Sequence, residues 1–405
     1  MPILVWSDDD DAADPTLTGA KFATLSAIGR WPVPDRPLLA GGSALSTTAW
    51  RSVVAHNRLD GLVDAAVGGH ERSGDELHEA FGSAELPDAV QESLSVSVHR
   101  LLDEGAVGLA LRSSAVAEDL AGRSFAGQYV TRLSVSDVEA ATAAYRDCLA
   151  SAWARGTRGY RQRTADPSSA APDDPAMAVM VQPMVHLGDG WAGAALSDGA
   201  RGVVIEVVRG LGDRLMSGRA DPLRWSVTGD ESPEGALAAT VVSWVRRAEA
   251  RFGHAIEVEF AVRSDESVPV VLQARPYDTA ASHPTRVDRW TRPTGLVNGL
   301  AVGSGTARGV VCRLDHPGDL DMLEPGGVLV TSSTDPGWLP LLGQVAAVVT
   351  DHGGLTSHAA IVCRELGLLA VVGCGDATLR LAHGDLVEVS CDGATGAVRR
   401  VDPTP

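Results

Sequence analysis

The order of apolar and polar residues predicts two unlike halves of the chain. Apolar residues recur every three to four positions across residues 137–162, which is typical of one buried face of a long helix. Shorter helical patterns occupy residues 19–25, 46–64 and 233–252. Apolar runs predict strands at residues 107–112, 176–185, 191–196 and 202–208, followed by a hairpin pair at 256–262 and 268–273. The first half is therefore predicted to combine helices with a largely buried sheet.

A stretch interrupted by prolines separates this half from a smaller one. Residues 276–298 contain three prolines and few long apolar runs, so a linker is predicted at 277–298. Beyond it, strands are predicted at 327–331, 345–349, 369–372 and 386–390, and a helix that begins at Ser357 lies between two of them. The pattern predicts one domain at 1–276 and a second, compact β/α domain at 299–405.

Composition narrows the classes of function. A length of 405 residues suggests about two to three domains. The net charge of −18 argues against nucleic acid or an anionic membrane as a main partner, because their phosphates would be repelled on average. No long apolar run predicts a membrane span, and the acidic N-terminus is unlike a secretory signal. The five cysteines lack C-x-x-C spacing, so neither a disulfide framework nor a zinc site is expected, and the cytoplasm is the predicted location.

Lysine usage singles out one residue. Arginine supplies 33 of the 34 basic side chains, and Lys21 is the only lysine. Either this is chance in an arginine-rich composition, or Lys21 stands where a compact ammonium is needed rather than a planar guanidinium. Because a Walker P-loop requires lysine directly after glycine, and Lys21 follows Ala20, the chain contains no nucleotide site of that class.

The segment from Asp351 to Gly367 carries the strongest chemical signal. Two glycines allow a sharp turn, Thr356 and Ser357 are favoured helix N-cap residues, and His358 follows in the first turn of a predicted helix. The positive end of a helix dipole suits a phosphate better than an imidazolium. The pattern indicates a histidine that becomes phosphorylated. The alternative is an N-capped buried helix with an incidental histidine.

A second signal lies near Arg112. The strand at residues 107–112 delivers this arginine to a loop of small residues, whose backbone could surround phosphates while the guanidinium binds them through two hydrogen bonds. An arginine at a strand end is also often simply solvated, so this motif alone is weak.

The longer strings resemble a known family. Residues 346–375 closely resemble the mobile phosphohistidine domain of pyruvate phosphate dikinase, phosphoenolpyruvate synthase and rifampin phosphotransferase. Residues 109–131, 180–185, 210–218, 256–261 and 271–276 resemble the ATP-binding domain of the same enzymes, which has the ATP-grasp fold. The resemblance implies an α/β (α+β) chain in which an ATP-grasp nucleotide-binding domain precedes a small β/α swivelling phosphohistidine domain.

The resemblance also implies roles for individual residues. His358 would carry the phosphate. The ATP phosphates would be contacted by Lys21, Arg112, Gly127 and Thr131, with Arg275 holding the phosphate chain. The adenine pocket would be lined by Gln182, Pro183, Met184 and Val185. Mg²⁺ would lie beside Glu259 and Gln273, because a hard cation requires oxygen ligands. The alternative for Glu259 is a salt-bridged strand residue.

Two departures from the family pattern affect these expectations. The usual Phe-Thr-x-Asp-Pro string is replaced at residues 195–200, and the usual glutamate after Gly-Leu-Gly is Asp213, so the role of Asp213 stays open. Family members also carry an acceptor domain, a barrel for pyruvate or a drug-binding domain, whereas this sequence has only the stretch 277–298 between its two catalytic parts. The acceptor is therefore expected at the domain interface or on a separate acceptor-domain protein.

The implied activity is an AMP-forming phosphotransfer. His358 would take the β-phosphate of ATP in the presence of Mg²⁺, release AMP and phosphate, and pass the phosphoryl group to a small-molecule hydroxyl. The main alternative is a phosphohistidine carrier subunit of a split dikinase. A third alternative, a degenerate binding protein, conflicts with the presence of His358, Lys21, Arg112 and Arg275.

Overall fold

The computed structural model describes residues 1–32, 37–116, 118, 129–164, 175–197, 202–228, 235–264, 268–277, 296–319 and 323–401. Its helices are α1 (Pro15–Gly29), α2 (Thr47–His56), α3 (Asp60–Val67), α4 (Glu71–Gly82), α5 (Asp88–Asp103), α6 (Val138–Ser151), α7 (Arg155–Thr164), α8 (Asp213–Met216), α9 (Ala236–Phe252), α10 (Leu339–Leu342), α11 (His358–Glu365) and α12 (Ala377–Arg380). Its strands are β1 (Leu4–Trp6), β2 (Leu38–Leu39), β3 (Ser43–Leu45), β4 (Leu109–Ala115), β5 (Thr131–Val135), β6 (Met177–Pro183), β7 (Trp191–Ser197), β8 (Val203–Arg209), β9 (Leu223–Val227), β10 (Ile256–Val262), β11 (Val270–Pro276), β12 (Val297–Val302), β13 (Ser304–Arg313), β14 (Val328–Thr331), β15 (Ala347–Thr350), β16 (Leu369–Val372), β17 (Leu386–Asp392) and β18 (Thr395–Arg400).

Contacts divide the chain into two compact units. The first comprises Met1–Gly188 with Val268–Arg275, and the second comprises Asp189–Ser267 with Pro276–Pro405. This division differs from the domains predicted at 1–276 and 299–405, whose boundaries stay predictions. Most of the predicted linker at 277–298, and Gly127, lie outside the described residues.

The first unit is built on a five-stranded sheet in the order β1-β3-β6-β4-β5. Strands β4 and β6 pair antiparallel, so that Ala110 lies opposite Gln182 and Arg112 lies opposite Met180. The core of this unit combines residues of the sheet with apolar residues of α2, α4, α5 and α6, including the large side chains of Trp50, Phe81 and Tyr145, and with Trp153 between α6 and α7. Each such side chain contributes about 1.5–3 kcal/mol when it leaves water. Strand β11 joins this unit by pairing parallel to β2.

Helix α1 depends on a kink at Gly19. Asp14 caps the helix by accepting a hydrogen bond from the Thr16 amide at 2.9 Å, and Pro15 occupies the first turn. Gly19 has a φ of 73°, and a Cβ at this position would overlap the carbonyl of Ser114 on β4. Only glycine allows this approach. The kink brings the following residues, including Lys21, against β4.

The second unit begins with a four-stranded antiparallel sheet in the order β10-β7-β8-β9. Glu259 lies opposite Ala194, Ala194 lies opposite Glu206, and Glu206 lies opposite Arg224. Because directly opposed residues of a sheet point to the same face, these four side chains form one row. Helix α9 packs against β7 and β10 with its buried residues at helical spacing and ends at Gly253.

The rest of the second unit is a closed seven-stranded barrel in the order β12-β16-β15-β14-β13-β17-β18. Strands β13 to β16 pair in parallel order, and β12, β17 and β18 close the barrel by antiparallel pairing. Its interior is filled by small and β-branched residues, among them Val330, Val349 and Val371. Helix α11 connects β15 to β16, as predicted for a β/α unit.

Two predicted helices are each two helices in the structure. The prediction at 46–64 becomes α2 and α3, because Asn57 bonds the Val53 carbonyl through its side chain and Arg58 adopts a φ of 56°. The helix predicted at 137–162 is divided into α6 and α7, and at the break the Thr157 hydroxyl donates a hydrogen bond to the Ser151 carbonyl at 2.9 Å. Periodicity alone does not detect these local bonds. None of the helices in the described ranges is long and apolar enough to cross a membrane.

Candidate active site

A short loop between β15 and α11 presents His358. Ser357 is the N-cap of α11: its hydroxyl donates to the Gly354 carbonyl at 2.7 Å and accepts from the Ala360 amide at 3.4 Å. Asp351, at the start of the loop, accepts a hydrogen bond from the Thr378 amide at 2.9 Å. The side chains of Asp351 at one end and Ser357 at the other therefore fix the loop to its own barrel. We call residues 351–358 the phosphohistidine loop, after the expectation from sequence that His358 carries the phosphate.

The imidazole of His358 is held by a residue that the sequence did not indicate. His358 is only 3% exposed, and its Nδ1 lies 2.9 Å from the Thr334 hydroxyl. Burial lowers the pKa of His358 to about 4, although the nearby Asp335 carboxylate opposes this shift. The ring is therefore neutral at neutral pH. In the tautomer in which Nδ1–H donates to Thr334, Nε2 keeps the lone pair that a nucleophile needs.

We expect the pKa of His358 to lie well below 6.5 in solution. Between pH 6.5 and about 4 the unfolded chain binds a proton that the folded protein does not bind, so this group makes stability fall as the pH falls through that window. An NMR titration of the ring resonances, assigned with His358→Gln, checks this prediction. A midpoint at the ordinary value of 6.5 would contradict it.

Glu206 of strand β8 contacts the phosphohistidine loop directly. Its carboxylate accepts hydrogen bonds from the Leu355 amide at 2.9 Å, the Thr356 amide at 3.0 Å and the Thr356 hydroxyl at 2.7 Å. Arg224 donates to the same carboxylate through Nε at 2.8 Å. Burial opposes ionisation of Glu206, but Arg224 and the loop donors outweigh it and hold the pKa below its ordinary value. A Cβ on Gly354 would overlap this carboxylate, so glycine is required for the contact.

Lys21 lies in a polar corner of the first unit. Its ammonium donates to the Ser113 carbonyl at 3.3 Å, pairs with the fully buried Glu118 and lies 5.7 Å from the centre of the Tyr129 ring. Burial raises the pKa of Glu118, and the charges of Lys21 and Arg275 counteract that rise. The structure thus brings Lys21 and Arg275, both predicted to bind phosphate, around one carboxylate.

Other predicted phosphate and adenine residues are found on neighbouring strands of the same unit. Arg112 of β4 lies directly opposite Thr131 of β5. Gln182, near the end of β6, donates from its side chain to the Leu272 carbonyl of β11 at 3.1 Å, next to the buried Gln273. Pro183 ends β6, and the chain continues through Met184, whose amide donates to the Gly108 carbonyl at 2.9 Å, to Val185.

The predicted magnesium ligands lie in different units. Glu259 is half-buried on β10 of the second unit, and Gln273 is on β11 of the first. The described parts of the chain hold no group of three or more histidine, cysteine, aspartate or glutamate side chains that could bind a metal ion. A magnesium ion bound to a nucleotide needs only one or two protein carboxylates, because phosphates and water complete its coordination. Taken by their chemistry, one carboxylate and one amide oxygen are donors of the kind that such an ion takes.

Comparison with known proteins places these features in a family. Residues 16–241 match the family model described as pyruvate phosphate dikinase, AMP/ATP-binding domain, which covers more than half of the chain. The chain belongs to the pyruvate phosphate dikinase family. Residues 323–396 match a second model, PEP-utilising enzyme, mobile domain, which includes the phosphohistidine loop of this dikinase-family chain.

Curated relatives extend the similarity over nearly the whole chain. Phosphoenolpyruvate synthase of Neisseria meningitidis serogroup B is 27% identical over 98% of this chain and 58% of its own length. The enzyme of the same name from Pseudomonas aeruginosa is 30% identical over 88% of this chain and 53% of its own length. The one from Aquifex aeolicus is 28% identical over 98% of this chain and 54% of its own length. The dikinase-family chain therefore spans about half the length of the relatives it matches.

The family and the fold class predicted from sequence are confirmed. An AMP/ATP-binding domain precedes a mobile domain of the β/α type in this dikinase-family chain. The individual site residues stay predictions, and the structure adds Glu118, Glu206 and Thr334 to them. Thr334 follows β14, whose carboxyl end lies beside that of the parallel strand β15, so parallel strand order could have indicated it.

Proposed function

We propose that the chain is an ATP-dependent phosphotransferase that works through phosphorylated His358. Nε2 of His358 attacks the β-phosphorus of ATP, the bond to the oxygen bridging the α- and β-phosphorus atoms breaks, and AMP leaves. The terminal phosphate of the resulting pyrophosphoryl-histidine is lost to water or phosphate. The remaining phosphoryl group passes to the hydroxyl of a small molecule, which gives up its proton.

The observation that supports this proposal most is the state of His358. The imidazole is buried, lies at the start of α11 with Nδ1 against Thr334, and is neutral at pH 7, which is the protonation state that a nucleophilic histidine needs. The same residue lies in the segment that matches the mobile domain of PEP-utilising enzymes. An incidental histidine in an N-capped buried helix would not need this match.

The nucleotide would bind through residues of the AMP/ATP-binding domain and β11. Positive charge for the phosphates would come from Lys21, Arg112 and Arg275. The family resemblance implies that Gly127 and Thr131 also contact the phosphates and that backbone atoms of residues 182–185 contact the adenine. Glu259 and Gln273 would hold Mg²⁺, which supplies charge neutralisation on the phosphates. All five cysteines are free, which is consistent with a reducing cytoplasm as the site of the reaction.

The identity of the product nucleotide tests the mechanism. Attack at the β-phosphorus must produce AMP, whereas a simple kinase attacks the γ-phosphorus and produces ADP. We therefore expect AMP to rise in step with phosphorylated product when the protein is incubated with Mg²⁺, ATP and a panel of small hydroxyl compounds. Chromatography of the nucleotides measures this, and stoichiometric ADP without AMP would refute the mechanism.

A second candidate function is a phosphohistidine carrier whose acceptor domain lies on another chain. This candidate assigns transfer to the acceptor to a part beyond the 53–58% of the relatives' length that this chain matches. A carrier would release one AMP per His358 and then stop until the partner is supplied. Single turnover with every hydroxyl compound tested would favour the carrier, and repeated turnover would favour the complete transferase.

A further inference from the structure

We infer that Glu206 is a positioning residue that docks the phosphohistidine loop onto the face of the β10-β7-β8-β9 sheet that bears Glu259. This inference rests on the proposed function and deepens it, because it names the contact that brings the loop of His358 to the sheet that bears the predicted magnesium ligand Glu259. Both partners of the contact lie in the second compact unit.

The first support is the chemistry of the contact. Three donors of the loop, two amides and one hydroxyl, converge on one carboxylate that is completely buried. Burying a carboxylate is costly unless it is paired and hydrogen-bonded. Arg224 and the loop together meet that requirement, whereas Arg224 alone would leave several acceptor positions empty. The carboxylate therefore favours the docked loop.

The second support is where the contact lies on the sheet. Glu206 and Glu259 belong to one cross-strand row, separated by Ala194. Neighbouring strands are about 4.8 Å apart, so the two glutamates are roughly 10 Å apart on the same face. The loop docks at Glu206, two strands along this row from the predicted magnesium ligand Glu259.

The third support is close packing around the bond. A Cβ on Gly218 would approach the Cβ of Ser357 to 3.2 Å, so the segment after α8 meets the loop backbone closely. At the edge of the contact, His352 lies 3.4 Å from the carboxylate of Asp221. Glu206 belongs to the segment that matches the AMP/ATP-binding domain, and the loop belongs to the segment that matches the mobile domain. The contact therefore links the two family domains at Leu355 and Thr356, three and two residues before the histidine.

The test compares Glu206→Gln, Glu206→Ala and Thr356→Val with the control Glu388→Gln. Glu388 also bonds to arginines, including Arg308 at 2.8 Å, but it lies on β17 of the barrel. Hydrogen exchange of the Leu355 and Thr356 amides reports docking without any need for catalysis. Rapid-quench labelling of His358 from ATP labelled at the β-phosphate reports its consequence.

For Glu206→Ala we expect hydrogen exchange at both amides to become about tenfold faster or more, because donors buried by the contact lose their acceptor. The labelling rate of His358 at saturating ATP should fall by a similar factor. The ATP concentration for half-maximal labelling should stay unchanged, since Glu206 contacts the loop and not the nucleotide. Glu206→Gln, which keeps an acceptor oxygen, should recover part of both effects, and Glu388→Gln should resemble the wild type.

A double-mutant cycle separates docking from general stability. Thr356→Val removes one donor and leaves the pair of Glu206 with Arg224 intact, so its effect on labelling should largely disappear in the Glu206→Ala background. Fully additive effects, or unchanged exchange at Leu355 and Thr356 in Glu206→Ala, would overturn the inference. If the wild type acquires no label, the proposed function fails, while the exchange data still decide whether Glu206 docks the loop.

Discussion

Replacing His358 with alanine is expected to reduce phosphorylation of the protein and of any acceptor to background. In the proposed mechanism the imidazole of His358 is the nucleophile that forms the bond to phosphorus, so its removal leaves no residue to carry the phosphoryl group. ATP binding should stay near the wild-type level, because the predicted nucleotide contacts are made by other residues. The wild type incubated with ATP labelled at the β-phosphate should acquire label that is labile in acid and stable in base.

The matched control for this variant is His383→Ala. His383 is an exposed histidine of the same barrel, and its loss should leave labelling unchanged. Equal labelling of wild type and His358→Ala would exclude His358 as the carrier, whatever the total activity.

The second large effect is expected for Lys21→Arg, although this change keeps the positive charge. The ammonium of Lys21 reaches the Ser113 carbonyl and Glu118 in a corner whose lysine side chain is only 14% exposed. A guanidinium is planar and larger, so it should displace Glu118 or move toward the Tyr129 ring. We expect the rate of His358 labelling at low ATP to fall about tenfold or more, which corresponds to ~1.4 kcal/mol of transition-state stabilisation.

An arginine-to-lysine exchange at the surface provides the comparison for that variant. Arg72 forms an exposed i,i+4 pair with Glu76, and Arg72→Lys should change neither labelling nor stability measurably. Labelling by Lys21→Arg at the wild-type rate would mean that the single lysine is an accident of composition.

Local sequence patterns predicted several strands of the second domain, but they did not predict that these strands close into a barrel. Buried runs such as β15 and β16 are unbroken apolar segments, and they were found near their observed limits. Strand β13 contains small and polar residues, and its partner β17 begins more than 70 residues later. Closure of the barrel depends on such distant pairing, which no local pattern encodes.

The candidate site was predicted where a motif is continuous in sequence. The glycines, the N-cap and His358 are neighbours along the chain, so their arrangement follows from local rules. Glu118 was not singled out, because its pairing with Lys21 joins residues that are 97 positions apart. Glu206 did leave a signal: a single carboxylate interrupts the apolar strand β8, and a buried charge needs a partner. The sequence does not show that the partner is the phosphohistidine loop.

The buried carboxylate of Glu206 would also make docking of the loop depend on whether His358 is phosphorylated. A phosphoryl group on His358 would add nearly two negative charges only two residues beyond Thr356, which is bonded to that carboxylate. Charges this close lie within the screening length of physiological salt, and burial weakens the screening further. The unphosphorylated loop, whose amides and hydroxyl donate to Glu206, would thus stay bound to it, and the phosphorylated loop would be repelled. Departure of the loop would then be coupled to completion of the first chemical step, and a histidine that has not reacted would tend to stay.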